Sequence, residues 1–70
     1  MVDIDRRMAA AASAEEQGRY REATSLYEQL GTDIQAEIGP FDARALDAYE
    51  GMARAISKGA QSGSPWADTV

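Results

Sequence analysis

Apolar side chains recur at steps of three and four residues along most of this chain, and this spacing constrains its fold more than any other feature. In the segment GRYREATSLYEQL, residues 18–30, the step is seen at Tyr20, Ala23, Tyr27 and Leu30. Such a step places apolar groups on one face of an α-helix, whereas a half-buried strand requires strict alternation. The sequence contains no alternating apolar run of useful length. The pattern therefore predicts an all-α fold.

Glycine and proline divide this periodic pattern into three helices. Gly18 and Gly39 are each placed to form a left-handed C-terminal cap, and Gly39-Pro40 is the strongest stop signal because proline cannot continue a helix. Asp42 then suits the N-cap of the next helix. We therefore predict three antiparallel helices, at about residues 3–17, 19–38 and 42–58, in a helical domain of residues 1–60 that a flexible tail, residues 61–70, follows.

Glycines also fall inside the predicted helices. Gly31 costs about 1 kcal/mol relative to alanine in a helix interior, and a helix end at this glycine is the alternative. Because the apolar step continues through Ile34 and Ile38, we favour one long second helix. In the third helix, close packing against a neighbour would explain Gly51, and Gly59 is expected to cap the end.

Small size is a second constraint, because the chain has 70 residues with no cysteine and no histidine. A domain of this size buries a small fraction of its surface and is marginally stable alone. The composition excludes disulfides and any metal site built on thiolate or imidazole. Association with another chain is therefore the remaining common way to stabilise so small a domain.

The acidic balance of the chain narrows the classes of partner. The formal net charge is −5, and the short basic pairs Arg6-Arg7 and Arg19/Arg21 are flanked by acids, so no nucleic acid partner is expected. No stretch approaches the ~20 apolar residues of a membrane span, and the acidic start MVDID does not resemble a signal peptide. We predict a cytoplasmic protein with no membrane partner.

No arrangement of side chains in the sequence predicts catalysis. Glu15 and Glu16 are adjacent, so their side chains leave a helix in different directions, and we interpret both as part of a solvated face. Ser13 and Ser25 have no basic partner for nucleophilic activation. The sequence has no calcium-loop motif and no phosphate-binding glycine loop. The chain is therefore predicted to be non-enzymatic, with no metal and no cofactor.

Several of these residues fall in one continuous register that covers about half the chain without a gap. They are the turn residues Gly18 and Tyr20, the second-helix residues Ala23 and Tyr27, the junction Gly39-Pro40, and Leu46, Tyr49, Met52 and Ala53 of the third helix. The register resembles the tetratricopeptide repeat (TPR) of the kinesin light chain type, which is found in many bacterial multi-repeat proteins. The resemblance implies a TPR-like helix-turn-helix arrangement of about one and a half repeats.

The register departs from the family pattern toward both ends. Leu30 stands where a small residue is common, Gly31 where a large apolar residue often follows, and Arg7 on an expected apolar position. Ala60 and Ser62 replace the glycine and tyrosine of the next turn, so we expect the following helix to be missing. A solenoid repeat cannot bury its apolar face alone, and about three repeats are normally needed. The third helix is therefore expected to lack its next layer.

Three arrangements would cover the apolar stripe of the third helix, which we place at Leu46, Tyr49, Met52 or Ala53, and Ile56. The stripe can turn inward in a closed three-helix bundle, two chains can pair as a homodimer, or a different protein can supply the missing layer. Self-association ranks slightly first, because two-fold homo-oligomers are the commonest assemblies.

The family resemblance also implies where a ligand would bind, in a concave groove lined by the first helix of each repeat. The matching positions are Asp5, Met8, Ala12, Glu15 and Glu16 in the first helix and Asp47, Glu50, Arg54, Ser57 and Lys58 in the third. This surface leans acidic, so basic residues on a peptide would favour binding. Trp66, the one tryptophan, lies in the tail, where it either anchors a partner or folds back onto the third helix. The candidate partner-binding residues are Asp47, Glu50, Tyr49, Met52, Arg54, Ile56 and Trp66.

Two functions are consistent with these features. The first is a small adaptor or regulatory subunit that binds another protein or peptide, or a second copy of itself, through its helical faces. The alternative is a precursor protein, whose helical domain is recognised by a modifying enzyme that acts on the tail SGSPWADTV. The initiator Met1 makes a fragment of a longer repeat protein less expected.

Overall fold

The computed structural model of this chain describes residues 3–63. These residues form three α-helices, α1 (Ile4–Glu16), α2 (Tyr20–Glu37) and α3 (Ala43–Gly63), and no strand occurs among them. The predicted all-α fold with three helices is therefore confirmed. Most of the predicted tail, including Trp66, lies outside the described residues.

The N-terminal helix is capped at both ends by local hydrogen bonds. The side chain of Asp3, the N-cap residue, accepts from the backbone N–H of Arg6 at 3.1 Å. At the other end Gly18 has φ of +80°, and its N–H donates to the carbonyl of Glu15 at 3.1 Å. The left-handed cap predicted at Gly18 is thus confirmed, and it turns the chain into α2 within three residues.

The second helix runs unbroken through Gly31, as the continuing apolar step predicts. It ends where the N–H groups of Ile38 and Gly39 both donate to the carbonyl of Ile34, at 2.8 and 3.1 Å. The left-handed cap predicted at Gly39 is wrong, because its φ is +159° and nearly extended. Pro40 explains this difference, since a proline pushes the preceding residue toward extended backbone.

The third helix begins as predicted and ends later than predicted. Asp42 accepts a hydrogen bond from the backbone N–H of Arg44 at 2.8 Å, as an N-cap residue does. The expected end at Gly59 is wrong, since α3 continues to Gly63 and three residues into the predicted tail. Gly59 serves instead as a packing position, because a Cβ added there would lie 3.1 Å from the Cβ of Tyr20.

The contacts between helices show that neighbouring helices run antiparallel. Along α2, Tyr20, Tyr27 and Gly31 meet positions that descend along α3, namely Gly59, Gly51 and Tyr49. Between α1 and α2, the early residue Arg7 donates to the late residue Asp33 at 2.7 Å. This ion pair also accounts for an arginine at a position where an apolar residue was expected. The middle helix packs against both others, and α1 and α3 touch each other much less.

The core consists of two adjoining clusters that half-buried Met8 contacts. Leu30 and Ile34 are the largest side chains that are fully buried. One cluster contains Ile4, Leu30, Ile34, Ala45 and Ala48, and the other contains Ala11, Ala14, Ala23, Tyr27 and Ala55.

The face of α3 that packs against the rest of the fold is made of small residues and not of the apolar stripe. The buried positions are Ala45, Ala48, Gly51 and Ala55. By contrast, Leu46 is 60% exposed and Ile56 is 52% exposed. Tyr49 and Met52 are half-buried at the edges of the packed face. The closed bundle, in which Tyr49, Met52 and Ile56 all turn inward, is therefore wrong.

Candidate protein-binding surface

A continuous line of apolar residues runs along the outer side of α3. It consists of Leu46, Tyr49, Ala53, Ile56 and Ala60, at steps of three and four residues, and Phe41 precedes it in the connection from α2. We call these six residues the α3 strip. Phe41 is 98% exposed, and Leu46 and Ile56 are more than half exposed. Single exposed apolar residues are common, but large ones aligned on one side of a helix mark an interaction surface.

Tyr49 anchors the middle of the α3 strip to α2. Its ring covers Gly31, where an added Cβ would come within 2.9 Å of the ring. Its hydroxyl donates to Gln35 Oε1 at 3.2 Å and lies 3.2 Å from Thr32 Oγ1. Because the polar end of the side chain already has partners on α2, an apolar group can cover the ring's outer surface without leaving a buried hydroxyl that lacks a hydrogen bond.

Two open depressions lie beside the strip between α2 and α3, toward opposite ends of this helix pair. The first has a volume of about 460 Å³, and its walls include Tyr20, Thr24 and Ile56. The second, of about 390 Å³, lies between Gln35 on α2 and the Leu46 end of the strip. In each depression α2 contributes polar side chains and the strip contributes apolar ones. Two shallow depressions beside one line of apolar residues suit a partner helix better than a compact small molecule.

A different side of α3 is closed by an ion cluster centred on Glu15. The Glu15 side chain is 6% exposed. Arg54 donates through Nε and Nη2 to its two oxygens at 2.7 and 3.1 Å. Lys58 Nζ donates to Oε2 at 2.8 Å, and the Tyr27 hydroxyl donates to Oε1 at 3.0 Å. One carboxylate of α1 is therefore bound to α2 and α3 at once.

These partners shift the titration of the cluster. The hydrogen bonds from Arg54 and then Lys58 outweigh burial and lower the pKa of Glu15 to about 2. Burial, followed by the bond to the Glu15 carboxylate, raises the pKa of Tyr27. The same carboxylate raises the pKa of Arg54. The cluster is a fixed ionic contact in which the acid stays charged, so it lacks a group poised to exchange protons near neutral pH.

The interpretation of Glu15 as part of a solvated face is wrong, although Glu16 is exposed as expected. Glu15 follows buried Ala11 by four residues, and Arg54 precedes Lys58 by four residues on α3. Each spacing puts two side chains on one helix face. The pairing between the two faces, however, depends on how α1 meets α3, which no local pattern reveals.

The predicted partner-binding residues separate onto three sides of α3. Tyr49 and Ile56 lie on the α3 strip, while Met52 packs against the core cluster of Tyr27 and Ala55. Arg54 is held by Glu15. Asp47 and Glu50 are exposed, and Trp66 lies outside the described residues.

Two prominent members of the strip were missed as site residues. Phe41 was missed because it falls between helices, where periodicity carries no information. Leu46 was placed in the stripe that was expected to lack its next layer, but it was not included among the candidate partner-binding residues. The almost complete exposure of Phe41 and the exposure of Leu46 become visible only in the folded chain.

Among residues 3–63, no three acidic, histidine or cysteine side chains come together in a way that could hold a metal ion. No helix among the described residues combines the length and apolar character that crossing a membrane would require.

Comparison with protein-family models, with curated proteins and with solved structures finds no match. Function is therefore inferred from the residues and contacts of this chain.

Proposed function

We propose that this chain is a small, non-catalytic protein–protein interaction module that binds its partner through the α3 strip. One observation carries the proposal: α3 buries a face of alanine and glycine and leaves Leu46 and Ile56 in solvent, with fully exposed Phe41 beside them. Apolar surface gains about 25 cal/mol per Å² when it leaves water. A partner that covers this strip would gain that free energy.

The geometry of the strip favours a helical partner. Five of its six residues follow steps of three and four along α3, which matches the anchor spacing of a helix that packs against a partner. In the TPR-like arrangement that the sequence resembles, the next helix would pack in this position. An adaptor or regulatory subunit in the cytoplasm fits a module of this kind, and the absence of cysteine is compatible with a reducing compartment.

The proposal is tested by placing charges on the strip. In the double variant Leu46→Glu/Ile56→Glu both changes fall on exposed positions, so the helical circular dichroism should be retained. The matched control is Ile38→Glu, which changes an apolar residue that is 48% exposed and lies outside the strip. Affinity capture with the wild type should recover a partner chain that binds directly in calorimetry. The double variant should weaken this binding at least tenfold, and the control should not. Equal binding by all three chains would contradict the proposal.

A further inference from the structure

The identity of the partner follows from the pattern of large and small residues on the strip, and this inference rests on the proposed interaction role. We infer that the strip binds a second copy of this chain, with the two α3 helices antiparallel about a two-fold axis that passes near Gly51. The complex is a symmetric dimer in which the strips of the two α3 helices lie against each other.

The spacing of the strip matches the seam of a two-helix coiled coil. Leu46, Tyr49, Ala53 and Ile56 are separated by three, four and three residues, as are apolar positions in a heptad repeat. In the antiparallel register centred on residue 51, Leu46 faces the partner's Ile56 and Tyr49 faces the partner's Ala53. Each layer occurs twice by symmetry. The end layers of the seam thus pair two medium-sized side chains, Leu46 and Ile56. The middle layers pair the ring of Tyr49 with the methyl group of Ala53.

This size matching selects the antiparallel arrangement over a parallel one. A parallel seam would stack Tyr49 on the partner's Tyr49 and Ala53 on the partner's Ala53, which crowds one layer and leaves a gap in the next. Close-packed interiors tolerate neither defect. Parallel pairing would also align the two helix dipoles unfavourably, whereas antiparallel pairing opposes them.

The antiparallel register also accounts for Phe41. Counting outward from the axis, Phe41 lies opposite the end of the partner's α3, next to the partner's Ala60. The ring that is 98% exposed in one chain would there meet a small apolar residue. Shifting the seam by one heptad would instead place Leu46 opposite the partner's Gly63 and remove the contact with Ile56.

The dimer is expected to be weak and sensitive to salt. The helical part of the strip, from Leu46 to Ala60, extends over about 20 Å, so the interface falls in the small, transient class. Each chain carries a formal net charge of −5, and the exposed Glu50 side chains of the two copies approach each other near the axis. Because salt screens such repulsion, association should strengthen as ionic strength rises.

Site-specific cross-linking tests both the dimer and its register. The chain contains no cysteine, so Glu50→Cys introduces a single thiol beside the axis. Gln29→Cys places the control thiol on exposed α2, away from the strip. Under mild oxidation, Glu50→Cys should form disulfide-linked dimers at least tenfold faster than Gln29→Cys. Sedimentation from about 1 µM to 1 mM should show a reversible monomer–dimer equilibrium.

Ala53→Glu provides the matching disruption, because Ala53 is exposed and glutamate is a good helix former. Added to Glu50→Cys, it should suppress cross-linking at least tenfold while the helical signal is retained. A chain that stays monomeric at 1 mM, or equal cross-linking at positions 50 and 29, would overturn the dimer. A different outcome would separate the two proposals. If the monomeric chain binds a different protein, and the variant Leu46→Glu/Ile56→Glu does not, then the interaction role is supported and the self-pairing is wrong.

Discussion

The ring of Tyr27 on α2 lies directly against the backbone of Gly51 on α3. A Cβ added at Gly51 would be 2.6 Å from Tyr27 Cε1, closer than side-chain packing allows. The reverse contact occurs one helical turn away, where Tyr49 of α3 covers Gly31 of α2. Two glycines that weaken their own helices thus let the helices approach closely enough for an aromatic ring to pack on each glycine.

Replacing Gly51 with alanine should destabilise the fold despite the better helix propensity of alanine. Tyr27 cannot move aside easily, because it is buried and its hydroxyl is bound to Glu15. Overpacking costs about 1–3 kcal/mol, and alanine recovers about 1 kcal/mol. We expect a net loss of up to about 2 kcal/mol in the free energy of unfolding, measured by urea denaturation.

Gly31→Ala is the matched comparison, with a different expected result. The atom nearest to the added Cβ is Tyr49 Cζ at 2.9 Å, at the far end of a half-buried side chain that can shift. The gain in helix propensity should then offset most of the crowding, and the change should stay within about 0.5 kcal/mol. Equal losses for the two variants would show that ring mobility does not decide the cost.

Acid should destabilise the fold through Glu15. The pKa of this carboxyl is about 2 in the folded chain against an ordinary 4.5, so folding favours the charged form. Its contribution is complete above about pH 4.5 and is lost as the pH falls toward 2. Since Arg54 and Lys58 are about half exposed, solvent screens the pair, and we expect about 1–2 kcal/mol. Urea midpoints measured between pH 2 and pH 6 would show this loss.

The control for the acid response is Glu15→Gln, which keeps the shape of the side chain and removes its titration. This variant should be less stable than the wild type at pH 6, and the difference should shrink as the pH approaches 2. Glu16→Gln changes the exposed neighbour and should follow the wild-type pH profile. If Glu15→Gln also followed the wild-type pH profile, the acid response would have to come from other carboxylates.

The helices themselves were accessible from sequence because their signals are local. The apolar step from Tyr20 to Ile38 and the Gly39-Pro40 stop act within a few residues, and both predicted α2 correctly. The caps at Gly18 and Asp42 were also correct. Wherever the prediction depended on one helix, its bounds agreed with the structure to within a few residues, and the exceptions were the caps expected at Gly39 and Gly59.

The packing face of α3 was only partly accessible: close packing at Gly51 was predicted, but that helix has two faces that could be buried. One contains the strip residues Leu46 and Ile56, and hydrophobicity alone favours it. The other is made of alanine and glycine and wins because Tyr27 needs a surface without side chains at Gly51. That requirement comes from a different helix. Glu15 was misinterpreted for the same reason, since Arg54 lies 39 residues away.

Exposed and buried leucines should therefore respond very differently to truncation. Leu30→Ala removes a side chain that is 0% exposed in the middle of the core, and such changes cost about 2–5 kcal/mol. Leu46→Ala removes a side chain that is 60% exposed, so the monomer should lose less than about 0.5 kcal/mol. Urea denaturation at about 1 µM, where the weak dimer is dissociated, separates this cost from association. At about 1 mM the difference in the free energy of unfolding between the wild type and Leu46→Ala should be larger, because the dimer stabilises only the wild-type fold. A loss at 1 µM as large as that of Leu30→Ala would instead place Leu46 in the core and remove the basis for the strip.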